Sequence, residues 1–380
     1  MEGLKKYVLA GSAAIGVGWT ASAQVGIVDP GQGPVGLSSP PSFGTISELS
    51  GLAGNGQSGP GTNADFFAVS DEQSNLYAIL SGVNLGTGLL TSPNIVGVSP
   101  LESPGSDLEG VGLQVFSNRT FTLSEAEPAI RAYINGTAQA PVDLPLPSAF
   151  QGIGGNSGFG LESLAVSGTA LATANEQPLA SDAGTNRVRV QTYSPAPGFV
   201  PFGLSKQVSY DLGTPGSFLA VAAHGVVDLE YLPNGDLLVL ERALGVRRLD
   251  GLTPVLGTTS TISLITVDDL AAAADTSGLS ALGGETPVES TVLWTADFDD
   301  DGSPQNYEGL ALGPELSDGS FSLLLVSDNG VLSTPNPFGG TLTFSPGQTL
   351  YPLIVSIPEP GTGALLGSLA LWALRHRRRG

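Results

Sequence analysis

The sequence predicts an all-β protein, propeller-like with about six blades, and three observations point there. Apolar runs are short and separated by glycine, proline, asparagine or aspartate, with 53 glycines and 28 prolines in 380 residues. Such punctuation belongs to many short strands joined by turns. Helical character is confined to one brief stretch, Val267 to Ala274. Finally, a recurring unit sets a glutamate at the head of an apolar strand, and radial repetition of small antiparallel units with variable loops builds a propeller.

At the N-terminus, Lys5 and Lys6 precede an apolar stretch from Tyr7 to Trp19, and Ala21-Ser22-Ala23 before Gln24 fits a signal-peptidase site. Residues 1–23 therefore read as a signal helix removed on export. The stretch is shorter than the roughly 20 apolar residues of a membrane span. Residues 24–63 read as an extension carrying the first strands, and residues 64–350 as the propeller domain. Strands are expected at Phe66–Val69, Leu76–Leu80, Val188–Tyr193, Leu237–Leu240 and Phe321–Val326.

Four segments carry the repeat: Asp107-Leu108-Glu109-Gly110, Gly160-Leu161-Glu162-Ser163, Asp228-Leu229-Glu230-Tyr231 and Asn306-Tyr307-Glu308-Gly309. Each is followed by a second strand ending in a polar pair with an acid, namely Ser124-Glu125, Asn175-Glu176, Glu241-Arg242 and Asp328-Asn329, and Ser70-Asp71 closes a similar strand earlier. The glutamates fall 53, 68 and 78 residues apart, a loose but blade-sized period. Antiparallel pairing brings the head of one strand beside the end of the next. Glu109, Glu162, Glu230 and Glu308 are thus expected to converge at one mouth, with Glu125, Glu176, Glu241 and Asp328 beside them. Carboxylates so close raise one another's pKa unless a cation or hydrogen-bond donor intervenes. Calcium, a hard ion taking about six to eight oxygens, answers that need. The alternative is that each glutamate caps backbone amides of the next blade.

Composition narrows the chemistry. Formal net charge is −21, and Lys5, Lys6 and four arginines lie in the two terminal segments, so nucleic acid is excluded as a partner. The absence of cysteine excludes disulfides, thiol catalysis and cysteine-ligated metals. No G-x-S-x-G elbow occurs, and His224 is the single histidine before the tail. It is a minor candidate for a general base beside a more ordinary structural role. The body holds seven arginines and Lys206. Arg242, at a strand end near the mouth, and Arg187 are the candidate substrate clamps, each equally readable as half of an ion pair.

A second acidic feature is Asp297-Phe298-Asp299-Asp300-Asp301-Gly302 with Glu308 at the twelfth position, which matches the calcium-loop pattern. Its flanks, Val292–Thr295 and Leu310–Leu312, read as strands rather than helices, and Pro304 stands where an apolar residue is usual. A site from Asp297, Asp299 and Asp301 is therefore weighed against a solvated acidic turn.

Taken together, Asn156–Glu162, Asn186–Val190, Asp228–Arg242 and Asn306–Asn329 make the chain resemble the phytase-like family described as "esterase-like activity of phytase". Ser163 departs from the glycine that the family prefers after the glutamate. The resemblance implies a propeller and hydrolysis of a carboxylate or phosphate ester, with Glu230, Glu308, Glu162 and Arg242 as catalytic candidates. Glu109, Glu162, Glu230 and Glu308, with the aspartates of the loop, are the calcium candidates.

The C-terminal segment, residues 357–380, reads Pro358-Glu359-Pro360, an apolar run over Gly361–Leu374, then Arg375, His376 and Arg377 to Arg379. It resembles the PEP-CTERM sorting signal. A helix over the run covers about 21 Å at 1.5 Å per residue, short of a hydrocarbon core of about 30 Å, so the arginines snorkel. Cationic residues at that end hold it cytoplasmic and leave the domain outside. The resemblance implies an exosortase-type protease as partner after signal peptidase, and a place in the cell envelope, surface or extracellular matrix. An uncut anchor gives the same orientation. Two readings of function stay open: a calcium-assisted hydrolase of a small ester, and a non-catalytic propeller binding exopolysaccharide or protein in the matrix.

Overall fold

The computed structural model describes residues 24–55, 65–103, 107–114, 117–134, 137–151, 160–196, 201–250, 253–299, 305–335, 341–344 and 346–358. The expected signal, residues 1–23, and all but the first two residues of the expected sorting segment lie outside them. No helix among the described residues is long and apolar enough to cross a membrane.

Twenty-three strands lie within a compact unit spanning Gly26–Ile357. Two short ones, β1 (Gly26–Val28) and β2 (Val35–Gly36), come first. Blade 1 is β3 (Leu49–Gly54), β4 (Phe66–Ser70), β5 (Asn75–Leu80) and β6 (Asn94–Pro100). Blade 2 is β7 (Leu108–Gln114), β8 (Arg119–Ser124), β9 (Ala129–Tyr133) and β10 (Val142–Asp143). Blade 3 is β11 (Leu161–Val166), β12 (Leu171–Asn175), β13 (Arg187–Pro195) and β14 (Phe202–Asp211). Blade 4 is β15 (Ala220–Tyr231), β16 (Leu237–Asp250), β17 (Thr253–Ile265) and β18 (Thr291–Asp299), with α1 (Val267–Ala272) between the last two. Blade 5 is β19 (Tyr307–Glu315), β20 (Phe321–Ser327) and β23 (Thr349–Ser356), and a hairpin of β21 (Leu332–Pro335) and β22 (Thr341–Phe344) interrupts it.

All pairings between these strands are antiparallel, and blade 5 is completed by β1 and β2, which both pair with β23. The chain's first strands thus close the ring on its last, which removes an open sheet edge. The innermost strands touch in cyclic order, β3 to β7 to β11 to β15 to β19 and back to β3. The described residues therefore form five blades rather than about six, four of them four-stranded and the last a five-stranded sheet. The expected extension is itself part of the ring: it supplies β3, the head of a full blade that opens on Ser50 and so carries no glutamate.

The strands form where apolar residues alternate or run together, and the one helix expected, near Val267, is α1, capped by Thr266 Oγ1 accepting from the amide of Asp269 at 3.1 Å. The core is divided among wedges between blades rather than gathered in one centre. Phe66, Tyr77 and Ile95 meet Leu324, Val326 and Leu350 between blades 1 and 5. Val69 and Leu76 meet Val111 and Tyr133 between blades 1 and 2, Phe121 meets Leu164 and Phe202 between blades 2 and 3, and Val190 and Tyr210 meet Leu229 and Val239 between blades 3 and 4. Between blades 4 and 5 the wedge is aromatic. Phe298 stands edge-on to Tyr307 and Tyr351 with ring centroids 5.1 and 5.7 Å apart. Edge-to-face pairs add about 0.5–1.5 kcal/mol beyond the area they bury. In blade 3 the fully buried Arg189 is held by Asp182 through two contacts of 2.8 Å, as an unpaired interior charge would be costly.

Candidate functional site: an acidic mouth at the strand heads

Four of the five inner strands begin with the same irregularity. In β7, β11 and β19 one residue bulges out of register with the next strand, and that residue is Glu109, Glu162 or Glu308. In β3 the register shift takes in Ser50. A bulge re-aims the side chain it carries, and here it directs each group toward the mouth. Blade 4 differs, because its corresponding bulge falls on Val227. Glu230 lies three residues further along, one before the end of β15, at the other end of the channel. The Asp228-Leu229-Glu230 segment imitates Asp107-Leu108-Glu109 in sequence but is offset by three in register, so the expected four-glutamate ring is not assembled.

The ends of the second strands complete the mouth. Asp71, Glu125, Glu176 and Asp328 each donate their amide to the carbonyl of a residue heading the inner strand of the same blade: Glu48, Asp107, Gly160 and Asn306. The equivalent residue of blade 4, opposite Gly225, is Arg242. Blade 4 thus replaces both acids with a valine and a guanidinium. Arg242 Nη2 reaches Glu176 Oε1 at 2.8 Å, and Nη1 contacts Glu308 and donates to Asn306 Oδ1 at 3.0 Å. Asn306 Nδ2 in turn donates to Glu308 at 2.8 Å and to Asp328 at 3.1 Å. One guanidinium therefore links carboxylates of blades 3 and 5 across the mouth.

On the other side no ion pair forms among the described residues. Asp71, Asp107 and Glu109 each present an oxygen within 4.8 Å of the others. Glu109, 7% exposed, accepts a hydrogen bond from Ser50 Oγ, and Oδ1 of Asp71 is buried with no hydrogen-bond partner. Burial first, then the charges of Glu109, Asp328 and Glu48, pushes Asp71 up to about 9. Burial likewise takes Glu109 to about 8 despite the Ser50 bond, and Glu125 to about 7 even though it accepts from Gly160 at 2.7 Å. Glu162 is raised well above its ordinary value by burial and by Glu109, Glu176 and Glu125. The Glu125 contact is the expected cap on the next blade, so capping and clustering coexist. An all-oxygen group with a buried, unpartnered carboxylate oxygen fits a hard divalent cation such as calcium.

The other candidates lie apart from one another. Arg187 pairs with Glu285 at 2.8 Å and with Asp211 at 3.8 Å on β13, third from the axis, and does not reach the mouth. His224 Nε2 meets Glu241 Oε2 at 3.1 Å, and Glu241 also accepts from Tyr210 at 2.6 Å and from the amide of Gly213 at 2.8 Å. Glu241 therefore faces blade 3, away from its neighbour Arg242. Asp297 is an exposed residue of β18, tied to Arg247 at 2.8 Å and to Thr259 at 2.9 Å. Asp299 ends the same strand, Asp301 is outside the described residues, and Glu308 is engaged by Arg242. The twelve-residue spacing thus does not bring Asp297 to Glu308. Two residues of the mouth carried no expectation as ligands, Asp107 and Asp71. Asp71 had a signal in the strand-ending pair Ser70-Asp71, and Asp107 was visible only as the letter before a motif.

Just inside the mouth the inner strands approach closely. A Cβ at Gly51 would meet backbone of blade 2 at 2.8 Å, at Gly110 the Cβ of Leu164 at 2.7 Å, and at Gly309 the carbonyl of Ser50 at 2.5 Å. Where these strands have glycine and β11 has Ser163, β15 has Asp228. Its carboxylate, 1% exposed, accepts from the amides of Leu310 at 2.6 Å, Leu229 at 2.8 Å and Leu164 at 3.4 Å. Asp228 thus bridges blades 3, 4 and 5 as a plug between the two ends of the channel. Ser163 departs from glycine without cost, its Oγ accepting from the amide of Ala174 at 2.9 Å.

The family model for the phytase-like family, "esterase-like activity of phytase", matches residues 44–331. No curated protein matches the chain in sequence. Among solved structures, one from a nidogen/laminin complex is 10% identical with a TM-score of 0.35, covering 82% of this chain and 86% of that one. A functionally unknown protein from Desulfotomaculum acetoxidans is 12% identical with a TM-score of 0.35, covering 83% and 91%. The β-propeller domain of Cps50 (Swd1) from Myceliophteria thermophila is 9% identical with a TM-score of 0.31, covering 81% and 83%.

Proposed function

Because the chain belongs to the phytase-like family, we propose that its acidic mouth is the working end of a calcium-dependent hydrolase of carboxylate or phosphate esters. The observation that carries this reading is the convergence of Asp71, Asp107 and Glu109 around the unpartnered Oδ1 of Asp71. These three residues would hold the ion. Bound there, calcium would offset the carboxylate charge and polarise an ester or phosphoryl oxygen. Glu162, partly exposed and raised by burial, keeps a proton that it can deliver to the departing alkoxide. Arg242 fixes Glu176 and Glu308 and positions the mouth's far wall, while Arg187 has no part in it.

Export belongs to the same proposal. Residues 1–23 and 357–380 direct the domain to the envelope, surface or matrix through signal peptidase and an exosortase-type protease, where calcium is abundant.

A second reading is supported by the engagement of Arg242: both terminal nitrogens are occupied by Glu176, Glu308 and Asn306, so neither is free for an oxyanion. The chain is then a non-catalytic propeller that binds exopolysaccharide or protein in the matrix, with structural calcium. Release of p-nitrophenol from acyl and phosphate esters, and of phosphate from phytate, separates the two. Hydrolysis that disappears with chelator and falls at least tenfold in Glu162→Gln, at unchanged melting temperature, supports the hydrolase. No turnover in any condition, beside a calcium-dependent rise in melting temperature, removes it.

A further inference from the structure

The last residues of the five inner strands, Gly54, Gln114, Val166, Tyr231 and Glu315, all line one cavity, of about 690 Å³, on the far side of Asp228. This is the size of a small-molecule site. Its wall is apolar at Leu113, Val166, Leu312 and Phe321, and the turns after β11 and β15 add Ser167, Thr169 and Asn234. The charged residues that line it are Asp65, Glu230 and Glu315; among the described residues no lysine or arginine does. Arg119, which is not among the lining residues, donates to Oε1 of Gln114 at 3.3 Å.

The three acids are not equivalent. Asp65 is committed to Ser81, accepting from its Oγ at 2.8 Å and its amide at 3.1 Å, and Glu315 is exposed. Glu230 sits in the apolar wall with a single backbone donor, the amide of Leu312, and no cationic partner among the described residues. Burial, then the charge of Asp228, raises it well above its ordinary value. A carboxyl so placed lacks the charge that would pay for its desolvation.

We propose that this second mouth binds a small organic cation, an alkylammonium whose charged head pairs with Glu230 and whose short apolar body packs on Leu113, Val166, Leu312 and Phe321. The field of a chain carrying −21 charges gathers cations and repels anions. An anionic ester or phosphate finds no counter-charge among the described residues that line it. The site is independent of the acidic mouth and stands or falls without it.

The test uses butylammonium chloride as the probe, with n-butanol and butyrate as neutral and anionic isosteres, in saturating calcium and about 150 mM salt so that the acidic mouth is occupied and screened. Binding is followed by calorimetry and ligand-observed NMR. Butylammonium is expected to bind at least tenfold more tightly than butanol, with butyrate showing none, and Glu230→Gln to weaken it at least tenfold. Thr169→Trp, which fills the opening from an exposed turn position, should abolish it, and decides the matter alone if Glu230→Gln does not fold. Equal binding of butanol, undiminished binding by either variant, loss of binding in Asp71→Asn/Glu109→Gln, or no butylammonium binding at millimolar concentration would each overturn the proposal.

Discussion

The two ends of this channel are both acidic, yet they manage their carboxylates in opposite ways. At the strand heads, bulges and the ends of the second strands crowd acids together, and one guanidinium, Arg242, holds two of them while Asp71, Asp107 and Glu109 share a space with no ion pair among the described residues. At the strand ends Asp65 and Glu315 also line the cavity, but Asp65 is bonded to Ser81 and Glu315 is exposed, and Glu230 alone stands in the apolar wall. Charge density is the organising feature of the first and isolation that of the second. Blade 4 creates both. By putting Val227 and Arg242 where its neighbours put acids, it supplies the counter-charge at one mouth, and by shifting its glutamate three residues on, it supplies the acid at the other.

The comparison is broken most severely at Arg242. Arg242→Leu leaves Glu176 and Glu308 as uncompensated, largely buried charges, and removing one partner of such a network costs about 3–5 kcal/mol. Urea denaturation should show that loss, with Glu230→Gln, which breaks no ion pair, changing stability by less than about 1 kcal/mol. If both variants unfold at the same urea concentration, the two mouths do not differ as described.

Next in size is the plug. Asp228→Ala orphans three buried amides, each a group whose lost bond costs about 1–3 kcal/mol, partly relieved by water entering the new space. A net loss of about 2–4 kcal/mol is expected in thermal or chemical unfolding. A neutral result would mean that the two ends are not separated by this residue.

A third effect is one of pH, and its sign distinguishes the crowded mouth. The folded values of Asp71, Glu109 and Glu125, about 9, 8 and 7, lie above their ordinary values of 3.8, 4.5 and 4.5. Between those limits the folded chain holds protons that the unfolded chain has released, so stability falls as pH rises. Without calcium, the melting temperature should decline from about pH 4 toward pH 9, because the repulsion is absent below the window and complete above it. Calcium, which displaces those protons, should flatten the decline by stabilising most at high pH. A calcium-free melting temperature that rises over this range would contradict the placement of the acids.

Much of this was legible in the letters. The expected strands are present with ends moved by one or two residues, since alternation and turn residues are local properties, except that Leu237–Leu240 is only the start of β16, which runs on to Asp250. The glutamates at 109, 162 and 308 do face one mouth, because a glutamate heading an apolar strand and an acid ending the next must meet when the two pair. Glu230 went astray because its surroundings copy the motif while its register does not, and register is set by which residue bulges against β16. Asp297 went astray because matching a spacing is not the same as closing a loop, and Arg247 and Thr259 already occupy its carboxylate.

The sequence by itself determined an all-β chain built from a repeated acidic unit, rich in carboxylate and without thiol chemistry, since these follow from composition and short-range pattern. Only the tertiary structure decided that the described blades number five, that β1 and β2 close the last of them, that Arg242 stands among the acids, and that Glu230 belongs to the opposite mouth. Those outcomes depend on contacts between residues tens to hundreds of positions apart, and a one-residue bulge, invisible in the letters, is enough to send a side chain to a different place.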